Sequence, residues 1–240
     1  MDDMERYGDY NELDEEPGGK KSPVGTVIKI LIILVCLSVV GVLAFRMIAF
    51  RNYPDGMDNL YFTDTLTEYY NKMGGNISVK TQNIDAKYDD PDWSNFYADK
   101  LFIIEETDEL QITVRFNKSA IPVIEEKLGL SDLDRADPNL LSFKLAVYDD
   151  LTESVKYLDA NLEYKKVDTY LMYTYYKLAF SGVEVDTTEA GRNKPGWIRL
   201  DIFIDGQTQN EAFSSIYIYE NNDRYNIFSD YELEKGDRPE

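Results

Sequence analysis

The chain contains no histidine, and its single cysteine, Cys36, lies inside its longest apolar run. These two shortages remove much of enzymology. Beyond residue 50 there is no thiol nucleophile, no cysteine pair for a disulfide, and nowhere in the chain an imidazole. Zinc sites of sulfur and nitrogen ligands cannot be built there. Cysteine–histidine and serine–histidine–aspartate catalysis are closed to the chain as well. Positive charge is also scarce, with 25 Lys and Arg against 45 Asp and Glu and a net charge of −20. Residues 51–240 hold 37 of those acids and 20 of those bases, so this part alone stands at −17. A surface of that sign repels phosphates, which excludes nucleic acid as a partner.

What remains describes a folded protein. Hydrophobic residues make up 43% and charged residues 29% of 240, enough for one sizeable core or two small ones. The apolar run comes first. Ile30 to Phe45 is free of charge, and the longer stretch 24–50 is interrupted only by Lys29 and Arg46. As a helix it would be roughly 40 Å long, against a hydrocarbon core of about 30 Å. The two basic side chains lie near its ends, where they can reach headgroups. The reading is a single transmembrane helix over 24–50, with the lipid bilayer as its partner.

Val42 and Ala44 fit a small-residue cleavage pattern, but the leader before the apolar core is long and acidic, which favours an uncleaved signal-anchor. Cys36 is no lipoprotein cysteine, because Val35 precedes it and apolar sequence continues past it; it reads as a small membrane-buried side chain. Lys20, Lys21 and Lys29 precede the core, and Arg46 and Arg51 follow it. That margin favours a single-pass protein of the cell membrane with the N-terminus in the cytoplasm and the C-terminal domain outside.

Composition divides the rest. Residues 1–23 are acid-rich with a Pro-Gly-Gly break and read as a disordered acidic tail. Residues 51–75 read as a polar linker carrying Pro54 and Gly56, then a short helix in LYFTDTLTEYYNKMGG that ends at Lys72 or Met73 with Gly74 at its cap. From 76 to 232 the period changes to two, and 233–240 reads as a flexible tail. In LQITVRF, Leu110, Ile112, Val114 and Phe116 alternate with Gln111, Thr113 and Arg115. LSFKLAV, WIRLDIFID and SSIYIYE repeat the pattern, each predicting a half-buried strand with one apolar face. Further strands are predicted in ISVKTQNI, LFIIEE, SVKYLD, LEYKKV, YLMYTYYKLAF and YNIFSD. LFIIEETDELQITVRF reads as a hairpin, as does the stretch from Trp197 to Glu220. SAIPVIEEKLGL predicts a helix with Ser119 as cap, Pro122 in the first turn, Ile121, Ile124 and Leu128 on one face, and Gly129 as terminator.

Strand after strand without intervening helices argues antiparallel pairing. The expected fold is mainly β: an antiparallel β-sandwich, immunoglobulin-like in general architecture, with one or two short helices and a single transmembrane helix before it. This layout resembles that of membrane-anchored envelope proteins of Gram-positive bacteria with small outer β-sandwiches. The resemblance is one of arrangement and implies no role for any particular residue.

Several groups invite a functional reading. Asp132, Asp134 and Asp137, and Asp89, Asp90 and Asp92, are close enough in sequence for calcium, but SDLDRADPN lacks the glycine and final glutamate of an EF-hand loop. Solvated loops are the preferred reading, so no metal or cofactor is assigned. Seventeen of 19 tyrosines lie beyond residue 50, and Tyr170, Tyr173, Tyr175 and Tyr176, read as one strand, put aromatics on both faces, with some near the surface. Trp93 and Trp197 read as core or loop anchors before ligand platforms. Carboxylate pairs could serve glycoside hydrolysis, but none is singled out by an apolar surround, and no motif marks a serine–lysine dyad. No catalytic residue is assigned. The expectation is a non-enzymatic, extracytoplasmic domain for protein binding or envelope assembly, with a cell-wall carbohydrate module and a carboxylate-only hydrolase as alternatives.

The apolar stretch generates the first expected outcome. Full-length chain should remain with membranes through alkaline carbonate extraction, and deletion of residues 24–50 should release it; soluble full-length chain would refute the anchor.

Overall fold

The computed structural model describes residues 23–51, 53–84, 87–88, 96–129, 131, 137, 140–149, 152–184, 197–204, 212–220 and 229–233. The chain divides into two compact units, residues 1–51 and 52–240. In the first, α1 runs over Pro23–Arg51. Its 25 residues Val24–Ile48 form the one helix among the described residues that is long and apolar enough to cross a membrane. The Ser38 hydroxyl within it donates to the Leu34 carbonyl at 2.8 Å, one turn back. Cys36 is exposed on its surface.

The second unit is mainly β. Its strands are β1 (Lys80–Asn83), β2 (Lys87–Tyr88), β3 (Phe96–Ile104), β4 (Glu109–Asn117), β5 (Leu141–Asp149), β6 (Ser154–Tyr157), β7 (Asn161–Tyr170), β8 (Tyr173–Ser181), β9 (Trp197–Ile204), β10 (Ser214–Glu220) and β11 (Ser229–Asp230). They form two antiparallel sheets, sheet A in the order β11-β1-β3-β4-β8-β7 and sheet B in the order β2-β10-β9-β5-β6. Neighbours in sequence pair as β3–β4 and β7–β8 in sheet A, and β5–β6 and β9–β10 in sheet B. Successive hairpins therefore alternate between sheets. Both predicted hairpins are present.

Period-two alternation explains the core. Leu110, Ile112, Val114 and Phe116 of β4, Tyr176, Leu178 and Phe180 of β8, Leu141, Phe143 and Leu145 of β5, and Ile198, Leu200, Ile202 and Ile204 of β9 all enter one buried cluster. Both sheets thus feed a single core. Edge strand β7 carries a charge into this region: Lys165 Nζ donates to the Leu141 carbonyl at 2.7 Å and lies 5.7 Å from the Tyr176 ring centre. An inward lysine of this kind discourages another chain from adding to the edge.

Helix α2 (Asp64–Lys72) starts where the Thr63 hydroxyl accepts from the Leu66 amide at 3.1 Å and ends before Gly74, whose φ of +63° suits glycine. Its Leu66 joins Leu60, Val79, Phe102 and Ile104 in a second cluster, on the opposite face of β3 from the main core. Helix α3 (Ile121–Leu128) has Pro122 in its first turn and Gly129 at φ +64° after it, as predicted, and buries Ile121 and Ile124. The side chain of Leu128 lies outside the described residues. Ser119 does not cap it. The Asn117 side chain instead accepts from the Ser119 amide and caps a 3-10 turn over Lys118–Ala120 that leads into α3.

Two expectations need correction. YLMYTYYKLAF is not one strand: it breaks at Leu171 and Met172 into the end of β7 and the start of β8, with Tyr170 paired to Tyr173 across the turn. Leu171 takes φ +52°, a turn position without the glycine or asparagine that would have marked it. And β4 is not half-buried. Glu109, Gln111, Thr113 and Arg115 on its second face are as buried as the apolar residues on its first. The reason is the segment from Tyr53 to Thr63, a strap that lies over that face. The Gln111 carboxamide donates to the Tyr61 carbonyl at 2.6 Å and accepts from the Tyr61 amide at 2.9 Å, as a neighbouring strand would. The Thr113 hydroxyl donates to the Met57 carbonyl, and Lys166 Nζ to the Asp55 carbonyl at 2.7 Å. Tyr61 stacks on Tyr164 with ring centres 3.4 Å apart. Tyr53 of the strap meets Tyr175 edge to face at 5.8 Å; Tyr173 and Tyr175 are buried and Tyr176 enters the core, so of the four tyrosines expected to bring some aromatics near the surface Tyr170 alone is partly exposed.

The turn and the core make opposite outcomes measurable by denaturant unfolding. Leu171→Gly removes a left-handed strain from an exposed position and should stabilise the fold by about 1 kcal/mol. Ile112→Ala should cost about 2–5 kcal/mol through the cavity it leaves.

Candidate functional site

On the outer face of sheet B the register brings together residues far apart in sequence. Lys144 pairs with Asp201, Ala146 with Arg199 and with Tyr157, Ser215 with Asp201, and Tyr217 with Arg199. Residues directly opposite one another in a ladder share a face, so these side chains form one surface. At its centre is Asp201, fully buried. Its Oδ1 lies 2.7 Å from Arg199 Nε in an ion pair and accepts from the Ser215 hydroxyl at 2.8 Å; its Oδ2 accepts from Arg199 Nη2 at 2.9 Å and from the Tyr157 hydroxyl at 3.0 Å. The carboxylate is a hub that fixes three side chains from three strands.

Aromatic rings flank the cations around this hub. The Arg199 guanidinium lies 5.9 Å from the ring centres of both Tyr148 and Tyr217, which themselves meet edge to face at 5.6 Å. Lys144 Nζ lies 5.7 Å from the Tyr157 ring and 5.4 Å from that of Phe203. Each cation is therefore held against two rings. Burial opposes the charge on Arg199, yet its bonds to Asp201 and Tyr217 raise its pKa above the ordinary value. Burial, then the nearby Asp201 charge, push the Tyr157 phenol up. Both groups stay in their usual ionic forms at neutral pH. Tyr157, Val155 and Lys144 are exposed; Tyr148, Phe203 and Tyr217 are half-buried.

A second cluster sits under the strap on sheet A. Arg115, almost wholly buried, donates to Asp99 at 2.5 Å and lies within 6 Å of the ring centres of Tyr53, Tyr97 and Tyr173. Burial pushes the Asp99 carboxyl up to about 6, against the pull of Arg115 and of the Tyr53 hydroxyl. Farther along the strap, Glu109 accepts from the Thr63 hydroxyl at 2.8 Å and from Gln111 at 2.6 Å, and burial raises its pKa too. This cluster is closed over by the chain's own residues, whereas the face of sheet B carries exposed members.

The groups singled out in the sequence fare unevenly. Asp89, Asp90, Asp92, Trp93, Asp132 and Asp134 lie outside the described residues, and Asp137 is exposed. Among the described residues no three Asp, Glu, Cys or His side chains come close enough to hold a metal ion. Trp197 begins β9, opposite Tyr148 in the ladder. The tyrosines of β8 are buried, and the aromatic face lies on the other sheet. Arg199 and Asp201 were visible as the polar alternates of WIRLDIFID. What pointed to them, unread, was an Arg-x-Asp pair on one strand face with tyrosines in the adjacent strands.

If Asp201 organises the face, Asp201→Ala should destabilise the domain by about 3–5 kcal/mol, because it leaves the Arg199 charge without its buried partner. Ser215→Ala, which removes one bond to the same carboxylate, should cost about 1 kcal/mol in the same unfolding measurement. No family model, no curated protein and no solved structure matches the chain.

Proposed function

We propose that the chain is a single-pass membrane protein whose unit 52–240 is an extracytoplasmic, non-enzymatic β-sandwich that docks another protein, in binding or envelope assembly, through the outer face of sheet B. The anchor rests on α1, long and apolar enough to span. The sandwich rests on the single core cluster fed by both sheets. The outward placement rests on the distribution of basic residues about the apolar run.

The observation that carries the binding assignment is the Tyr148–Arg199–Tyr217 group held over buried Asp201. Tyrosine and arginine dominate the energetic centres of protein interfaces. An arginine already fixed between rings and a carboxylate loses little side-chain freedom when a partner arrives. A sugar platform would present rings side by side along a groove, whereas these rings are engaged with the cations between them. The buried carboxylates Glu109 and Asp201 are each committed to hydrogen-bonded neighbours, and half-buried Asp99 is paired with Arg115, which supports a structural role over acid–base work.

A photo-crosslinking residue at exposed Tyr157 should capture a discrete protein in intact cells, while the same residue at Val123, exposed on α3, should not. Equal capture at both positions would remove sheet B as the docking face. Retention on wall polysaccharide that is lost in Tyr157→Ala would make it a sugar platform instead. Protease added to intact cells should cleave the 52–240 unit; full protection beside a cleaved outer-face control would reverse its side.

A further inference from the structure

The turn between β7 and β8 is built from residues that a water-exposed turn does not favour. Two-residue hairpin turns commonly carry Asn-Gly or a similar pair, because such residues tolerate positive φ. Here the sequence is Tyr170-Leu171-Met172-Tyr173, with Leu171 at φ +52° and 44% exposed. Lys118, which follows β4, braces the turn. Its amide donates to the Met172 carbonyl at 2.9 Å and its Nζ to the Leu171 carbonyl at 3.4 Å. A leucine in a strained backbone is thus held outward from the protein.

The strap shows which end of the domain carries this turn. Its contacts follow β4 in order: Tyr53 on Arg115, Met57 on Thr113, Tyr61 on Gln111 and Thr63 on Glu109. Asn117 pairs with Tyr173 beside the turn, and Glu109 pairs with Ser181 at the far end. The chain therefore joins sheet A at the end that holds the turn and runs away from it. Tyr53 meets the ring of Tyr175 at 5.8 Å, and Tyr175 meets Tyr173, the first residue of β8, at 6.3 Å. In the sequence Tyr53 comes five residues after Ile48, where the apolar span ends. With α1 helical to Arg51 and the rest extended, that interval spans at most about 12 Å.

We infer that the β7–β8 turn is a membrane-dipping tip: Leu171 and Met172 enter the interface of the lipid bilayer that holds α1. The inference rests on the reading of α1 as the anchor and is independent of the docking face on sheet B. Contact with acyl chains removes the leucine from water, which offsets the left-handed backbone it adopts. Tyrosine suits the headgroup level beside it, and the Lys118 ammonium can meet lipid phosphate there. The short tether selects lipid over a protein partner, because it keeps this end of the domain within reach of a bilayer. Zwitterionic lipid is the fitting occupant, since a domain at −17 is repelled by anionic headgroups.

Spin labelling of the full chain in phosphatidylcholine vesicles tests this, with oxygen as the lipid-soluble relaxer and a nickel chelate in the water on both sides. Cys36→Ser removes the one native thiol, and a nitroxide is attached at Leu171→Cys or at Leu162→Cys. Leu162 is also exposed and lies on β7, nine residues before Leu171 and roughly 30 Å from the turn. The ratio of oxygen to nickel collisions should be several-fold higher at position 171 than at position 162. Should Leu171→Cys not fold, Met172→Cys in the same turn is read in the same way. Equal ratios on chain that floats with the vesicles would overturn the tip and leave the anchor standing. A label at position 171 shielded from both relaxers would mean that protein covers the turn, which also overturns it. Full chain that fails to float with vesicles would remove the anchor, and the tip with it.

Discussion

Burying both faces of β4 obliges every polar side chain on the second face to find a partner away from water, and the rest of the domain is arranged around that demand. Leaving such groups unpaired would cost a few kcal/mol each. The strap supplies what is needed with its backbone as much as with its side chains: the carbonyls of Met57 and Tyr61, the amide of Tyr61 and the hydroxyl of Thr63 are the partners of Thr113, Gln111 and Glu109. Because Thr63 also begins α2, the end of the strap and the start of the helix are one event. That helix then brings Leu66 onto Phe102 and Ile104, so a polar patch and an apolar patch on the same sheet face are closed by one continuous stretch of chain.

This arrangement also explains what was legible in the sequence and what was not. The strands of LQITVRF, LSFKLAV, WIRLDIFID and SSIYIYE declare themselves because one face of each is apolar and the period is two, whatever the other face meets. Both helices are marked by local chemistry: Gly74 and Gly129 after their ends and Pro122 within a first turn. The second face of β4 carried no such mark. Gln, Thr and Arg alternate there as they would on a solvated strand, and only tertiary contact with a segment some fifty residues earlier distinguishes the two. Leu171 is a different failure. A leucine at positive φ gives no local warning, since the turn is imposed by the nine-position pairing of β7 with β8 rather than by the residues inside it.

The two clusters of charge and aromatic rings differ in one respect that bears on their roles. Arg115 and Arg199 each sit among tyrosines with an aspartate as ion-pair partner. Around Arg115 burial pushes the partner carboxylate up to about 6, against the pull of the guanidinium. Around Arg199 the carboxylate accepts from an arginine, a serine and a tyrosine together. The second arrangement ties β6, β9 and β10 to one buried carboxylate.

Rigidity matters on an acidic domain. At −17, residues 51–240 repel other acidic surfaces at a distance, and an exposed cation would be strongly hydrated and costly to dry. On sheet B the Arg199 charge is already neutralised by Asp201 and already partly stripped of water by Tyr148 and Tyr217. On the proposed docking reading, a partner covering this face would pay little further desolvation and would meet flat aromatic area whose donors are held in place. The buried carboxylate on the outer face of sheet B is thus what lets a strongly acidic domain hold an arginine among tyrosines there with its charge balanced, and that face would lose both its shape and its charge balance together if that one group were removed.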